Sequence, residues 1–232
     1  MTSSVDVIPR VEPERPVAPL WHTALVLLLL FGLAFSSVHF RGLPGSAGYS
    51  RITRYLITAA TEWMLVGVVV FGIRLRGITL RQLIGGEWSR TRFFFRDLGI
   101  SICFLFGSIF VLAVLTHALH LGPAANVRNF LPHTAAERSL WILLSLTAGI
   151  CEETITRGYL QRQMTALLKS PHAGIVVQGV IFGAGHAYQG WGHVLLIAVL
   201  GCMLGWLAHW RRNLRPGILA HFLQDAVGGF VG

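Results

Sequence analysis

The chain has 232 residues, of which 53% are hydrophobic and only 12% are charged, and its mean hydropathy is +0.62. This composition excludes an ordinary water-soluble domain and leaves no room for a separate soluble domain beside the apolar runs. The formal net charge of +9 does not indicate nucleic-acid binding, because the arginines lie in short connectors between apolar runs rather than on one solvated face. Composition and charge together therefore predict a protein whose main solvent is a lipid bilayer.

Apolar runs that could cross roughly 30 Å of hydrocarbon as helices recur along almost the whole chain. A polar tail over residues 1–19 precedes them. We then predict seven membrane segments, at about residues 20–40, 55–73, 98–119, 139–161, 172–188, 192–210 and 216–232. The last segment is short for a full crossing. The sequence therefore predicts an all-α, polytopic transmembrane helical bundle in which residues 20–232 form a single domain.

The connectors between these segments alternate between basic and non-basic composition. The connector after the second segment holds six arginines against two acidic residues, whereas the connector after the third holds only Arg128 and Arg138 as cations. Because basic connectors stay on the cytoplasmic side, we expect the first of these inside and the second outside. This orientation places the N-terminus in the cytoplasm, and we expect a bacterial inner (plasma) membrane with its lipids as partners.

The fourth segment contains two adjacent carboxylates, Glu152 and Glu153, in an otherwise apolar run. An ionisable group at membrane depth costs at least about 2.5 kcal/mol, so it needs a partner or a function. Glu153 and Arg157 lie one helical turn apart and can pair. Adjacent residues on a helix point about 100° apart, so we expect one carboxylate to pair with the arginine while the other faces a cavity.

Two later segments also carry costly polar groups. His186 follows a run of small residues in the fifth segment, and His221 and Asp225 share one helix face in the last. Each alone has an ordinary structural explanation: an ion pair for Glu153, a helix-bridging hydrogen bond for His186 and a cap or interfacial pair for Asp225. Their occurrence together instead predicts a site that binds and deprotonates a water molecule inside the bilayer.

The order of these groups resembles a known pattern. Glu-Glu-x-x-x-Arg is followed by Phe-x-x-x-His and then by His-x-x-x-Asn or Asp, on separate hydrophobic segments, which is the signature of the CPBP family. This is the family of CAAX-processing and bacteriocin-processing (Abi) intramembrane proteases. In this chain the pattern runs from Glu152-Glu153 to Arg157, from Phe182 to His186 and from His221 to Asp225. We expect the corresponding catalytic core at about residues 139–232.

The resemblance implies a function for each group. Glu152 would activate the attacking water with help from His186, while His221 and Asp225 would hold the scissile carbonyl and its oxyanion. Glu153 and Arg157 would support the site. Many family members have asparagine where this chain has Asp225, and an ionised carboxylate cannot donate a hydrogen bond to an oxyanion. Asp225 must therefore be protonated, orient His221 or bind a cation.

The sequence leaves the metal question open. It has no His-Glu-x-x-His zinc helix, and no metal ligand is assigned. Zinc could still be held by Glu152, His186 and His221 with water in the fourth position. A glutamate beside a second glutamate in an apolar setting also suits general-base catalysis without metal, and we favour this interpretation. We therefore expect no cofactor.

The prediction is an intramembrane endopeptidase that uses glutamate-activated water on a peptide or protein with a C-terminal or leader segment. The alternative is a non-catalytic transporter or immunity-type scaffold that uses the same buried polar groups. A third hypothesis is a lipid-modifying enzyme, which would need a headgroup site that the basic connector could offer. No motif explains Glu62, a further carboxylate within the second apolar segment.

Overall fold

The computed structural model describes residues 15–39, 48–122 and 124–231, and in these ranges it contains helices and no strand. The helices are α1 Leu20–His39, α2 Arg51–Arg74, α3 Leu80–Ile84, α4 Thr91–Ala118, α5 Ala125–Arg128, α6 Ala135–Glu153, α7 Gln161–Leu168, α8 Pro171–Gly185, α9 Trp191–Arg211 and α10 Arg215–Val231. A π-helix, Thr154–Leu160, joins α6 to α7, and a short 3₁₀ turn, Ala187–Gln189, precedes α9. Residues 1–14 of the predicted polar tail, Phe40 and Gly232 lie outside the described residues.

The predicted all-α, polytopic bundle is confirmed. Within the described ranges, α1, α2, α4 and α9 are long and apolar enough to cross a membrane, and α8 is apolar but shorter. The predicted fourth segment corresponds to a continuous helical stretch from α6 through the π-helix into α7. The sequence pattern predicts a helix here but not its wider π-helical part.

Helix starts follow the capping chemistry of the sequence. The Thr134 hydroxyl accepts from the Glu137 N–H at 3.2 Å, and the Glu137 carboxylate accepts in return from the Thr134 N–H at 3.0 Å, so a capping box begins α6. Ser170 caps α8, with Pro171 as its first residue. These caps fix where α6, which carries the acidic pair, and α8, which leads to His186, begin.

Small residues let the helices of the second half approach closely. A Cβ atom added at Gly149 of α6 would lie 2.9 Å from the Ile218 carbonyl oxygen of α10, closer than real contacts allow. A Cβ atom added at Gly217 of α10 would lie 3.0 Å from the Glu153 carboxylate. Backbone approach at two glycines therefore brings α10 against the acidic end of α6.

The first half of the chain supports this arrangement from the other side. Helix α2 packs along α6, and α1 is tied to the π-helix by a buried polar contact. There, the Nδ1 atom of His22 lies 2.8 Å from the Tyr159 hydroxyl, and its Nε2 atom donates to the Val68 carbonyl at 2.9 Å. The acidic end of α6 is consequently enclosed by α2 and α10.

Candidate active site

A fully buried ion pair lies at the centre of the site. The Nη1 atom of Arg157 is 2.9 Å from the Oε1 atom of Glu153, and neither side chain is exposed. Arg157 also donates to the Thr156 hydroxyl at 2.7 Å and to the Gly201 carbonyl of α9 at 3.2 Å. Contacts from its own helical stretch and from α9 therefore hold the ion pair, so the position of the Glu153 carboxylate is fixed.

His221 of α10 lies between three carboxylates. Its Nδ1 atom donates to Glu153 Oε1 at 3.0 Å. Its Nε2 atom lies 3.7 Å from Glu152 Oε2 and 3.6 Å from Asp225 Oδ2, within the range of an ion pair but beyond a direct hydrogen bond. The ring is buried, so its orientation is fixed by these groups. Distances of this length leave room for a water molecule or a substrate polar group to bridge the ring and the carboxylates of Glu152 and Asp225.

Glu152 differs from its neighbour in both exposure and pairing. Its side chain is 24% exposed, whereas that of Glu153 is fully buried. The Oε2 atom of Glu152 has no hydrogen-bond partner among the described residues. The Oε2 atom of Glu153 also lacks a partner, so the two carboxylates differ in exposure and in the ion pair that Glu153 makes through Oε1.

His186 directly follows the last residue of α8, and its ring and that of His221 both contact the aromatic ring of Phe182. Its Nδ1 atom donates to the Phe182 carbonyl at 2.9 Å, so the lone pair of the neutral ring lies on Nε2. The Phe182 ring lies 4.9 Å from the His186 ring and 5.9 Å from the His221 ring. Arg157 covers the same ring at 4.3 Å. Phe182 therefore lies between the two imidazole rings.

The π-helix begins directly after the acidic pair. The Thr156 hydroxyl donates to the Glu152 carbonyl, and the Thr154 hydroxyl donates to the Ile150 carbonyl at 2.7 Å. Both hydroxyls are thereby satisfied within the helical stretch. The wider turn directly follows the residues that carry the predicted chemistry, a common place for π-helical segments.

Glu62 of α2 is the group that the sequence could not connect to the site. Its side chain is 9% exposed, and its Oε2 atom has no hydrogen-bond partner among the described residues. Its charge interacts with Glu152, Asp225 and His221. The sequence marks Glu62 as unusual because it is a single carboxylate in the middle of an apolar run. Only the packing of α2 on α6 connects it to the predicted site residues.

The described part of the chain contains no group of three His, Cys, Asp or Glu side chains arranged to hold a metal ion. The set Glu152, His186 and His221 would have to rearrange to do so. The cysteines Cys103, Cys151 and Cys202 are free thiols.

Residues 134–227 match the family model described as type II CAAX prenyl endopeptidase Rce1-like. This range contains the three motifs from Glu152 to Asp225. Rce1-like proteins form part of the CPBP family, so the resemblance inferred from the motifs is confirmed. The match supports an intramembrane protease kind of function. No curated protein and no solved structure matches the chain.

Proposed function

We propose, because residues 134–227 match the Rce1-like family model, that this chain is an intramembrane endopeptidase working by glutamate-activated water. Its substrate is a peptide or protein whose C-terminal or leader segment enters the bilayer. The family description names prenylated CAAX substrates, so a prenylated C-terminal peptide is the first candidate.

Glu152 is the general base in this proposal. Its carboxylate takes a proton from a water molecule as the water oxygen bonds to the scissile carbonyl carbon. The free Oε2 atom of Glu152, 3.7 Å from His221 Nε2, supports this assignment. His186 assists by accepting a hydrogen bond from the same water at Nε2, because its Nδ1 atom is occupied by the Phe182 carbonyl.

His221 stabilises the oxyanion, and Asp225 acts through it. An imidazole ring with a carboxylate at Nδ1 and two more near Nε2 is favoured in the doubly protonated form. Such a ring can donate from Nε2 to the oxygen that becomes negative during attack. Asp225 therefore need not donate a hydrogen bond itself, which accommodates a carboxylate where many family members have asparagine.

Glu153 and Arg157 support the site by holding His221. The buried pair fixes the carboxylate that receives the Nδ1 proton, so the ring of His221 cannot turn away. A catalytic side chain usually needs neighbouring residues that hold it in its productive orientation.

We propose that the protein lies in the bacterial inner membrane, with the N-terminus and the arginine-rich connector around α3 in the cytoplasm.

The proposed mechanism does not require zinc. A strong chelator should leave the activity of purified protein unchanged, and metal restored after chelation should add nothing.

The main support for this proposal is that the carboxylates of Glu152 and Asp225 both lie close to the Nε2 atom of His221. A transporter or scaffold would favour polar groups strung out along the membrane normal, whereas here two carboxylate oxygens lie 3.7 Å and 3.6 Å from one histidine nitrogen. This clustering favours the protease over the non-catalytic alternative.

The direct test is cleavage of prenylated C-terminal peptides and of leader peptides by protein purified into liposomes. The Glu152→Ala variant should lose at least about 10²-fold in rate while keeping its thermal unfolding temperature, because it lacks the general base. Glu87→Gln removes an exposed carboxylate from the connector, where it pairs with Arg81, and is the matched control. A Glu152→Ala cleavage rate within about tenfold of wild type refutes the assignment.

A further inference from the structure

Glu62 is a buried carboxyl that the proposed mechanism leaves without a function. It lies on α2, the helix packed along α6, and only 9% of it is exposed. Its Oε2 atom has no hydrogen-bond partner among the described residues, and the charges of Glu152, Asp225 and His221 act on it. The side chain therefore lies in the bundle interior, on the helix that packs along α6, and within electrostatic range of the catalytic groups.

The pairing of the acidic groups decides which one keeps a proton. Glu153 is paired with Arg157, and Glu152 and Asp225 both lie within ion-pair range of His221. Glu62 makes no ion pair with any described residue. An ionised carboxylate without a partner is too costly in an apolar interior, so this group is the one that holds its proton.

A peptidase needs such a group at the end of its reaction. Once Glu152 has taken a proton from water, the leaving nitrogen must gain a proton as its bond to carbon breaks, since an amide anion is too basic to leave. His221 is committed to Glu153 and to the oxyanion. Glu62 is a buried carboxyl group within electrostatic range of Glu152 that makes no ion pair with a described residue and has no other function in the proposed mechanism.

We propose that Glu62 is the general acid that protonates the leaving amine, an inference that rests on the proposed function. The C–N bond breaks, its electron pair stays on nitrogen, and nitrogen receives the Glu62 proton while the carbonyl re-forms. Glu62 is then ionised and Glu152 is protonated. Transfer of the proton from Glu152 to Glu62 through site water restores the resting state, so one water and one peptide give one acid and one amine.

The test compares two substrates of the same sequence, one with an amide and one with an aryl ester at the cleaved bond. A phenolate leaves without being protonated, so the ester does not need the general acid. Glu62→Gln keeps the shape and neutrality of the side chain but cannot release a proton. We expect it to lower kcat for the amide by about 10²-fold with KM nearly unchanged, and to leave ester cleavage within about threefold of wild type.

Two controls separate this outcome from a structural effect. Glu87→Gln should cleave both substrates like wild type, and thermal unfolding should establish that Glu62→Gln remains folded. Glu62→Asp, which keeps the acidic proton on a shorter side chain, should recover part of the amide rate. Equal losses on amide and ester, or full amide activity in Glu62→Gln, overturn the inference.

The same experiment distinguishes failure of this inference from failure of the proposed function. If wild type cleaves both substrates, Glu152→Ala cleaves neither and Glu62→Gln cleaves both normally, only the assignment of Glu62 is wrong. If wild type cleaves neither substrate, or Glu152→Ala cleaves the amide, the protease proposal fails and the assignment of Glu62 fails with it.

Discussion

Glu152 and Glu153 are adjacent in the chain and meet different surroundings. Glu153 has an arginine one turn further along the chain and a histidine across the helix interface, both within 3.0 Å. Glu152 reaches only the outer edge of the same histidine, at 3.7 Å. The difference follows from the 100° between adjacent side chains on a helix, which directs one carboxylate into the packed interface and the other towards its edge.

The buried pair gives a stability prediction at this scale. Arg157→Met leaves the Glu153 carboxylate buried without its main cation, and we expect a loss of about 3–5 kcal/mol in the free energy of unfolding. The double variant Glu153→Gln/Arg157→Met removes the stranded charge and should recover part of that loss. Denaturant unfolding in detergent micelles measures both values. A double variant less stable than the single one would contradict this account.

The position of Asp225 gives an activity prediction. Asp225→Asn replaces a group that acts through His221 with an amide that can donate directly to an oxyanion, so it should retain at least roughly a tenth of the peptide cleavage rate. An alanine side chain can neither act on His221 nor donate to the oxyanion, so Asp225→Ala should lower the cleavage rate by about 10²-fold. Cleavage rates under saturating substrate compare the two variants. Asparagine and alanine variants with equal losses would exclude this function for Asp225.

At the scale of the elements, the site depends on how closely α6 and α10 approach. Gly149 lies one turn before the acidic pair, and Gly217 lies one turn before His221. Each glycine faces a backbone or carboxylate atom of the other helix at about 3 Å. The contacts between His221 and both glutamates therefore require the absence of side chains at these two positions.

Gly149→Val should separate the two helices. A Cβ atom at position 149 would meet the Ile218 carbonyl oxygen at 2.9 Å, so α10 must shift. Because misplacement by about 1 Å can cost about 10²-fold in rate, we expect a comparable loss of peptide cleavage. Gly107→Val on α4 is the control, since nothing lies within 4 Å of a Cβ atom there. Normal activity in Gly149→Val would contradict the close approach.

The sequence allowed part of the site to be predicted and left part of it open. The pairing of Glu153 with Arg157 follows from a spacing of one turn and needs no tertiary information. The position of His221 relative to Glu153 depends on the rotation of α10 against α6, which no local pattern encodes. Glu62 was recognisable as a costly group, but its neighbours are set by α2 packing and remained unknown.

At the scale of the whole molecule, the helical bundle was predictable because apolar runs and arginine-rich connectors are long-range patterns of composition. The π-helix was not, because its residues have the same apolar character as an α-helical continuation. Of the seven motif residues, Glu152 and Glu153 lie in α6, Arg157 in the π-helix, Phe182 in α8, His186 directly after α8, and His221 and Asp225 in α10.

The orientation in the membrane is a prediction of its own. In a cysteine-free background, Arg90→Cys in the connector before α4 should react with a membrane-impermeant reagent only from the cytoplasmic side. Arg128→Cys at the end of α5 should react only from the opposite side. Both positions are exposed, so labelling in intact cells and in inverted vesicles gives a direct comparison. Labelling of both from one side would refute the alternation of the connectors.

The distance of 68 residues between Glu153 and His221 bears on how the protein is made. During synthesis α6 enters the membrane long before α10 exists, so its carboxylates first meet lipid without the imidazole that later joins them. Arg157, only four residues along the same helical stretch, is the one cation that can accompany Glu153 at that moment. We therefore expect the Glu153–Arg157 ion pair also to lower the cost of inserting the nascent chain into the bilayer.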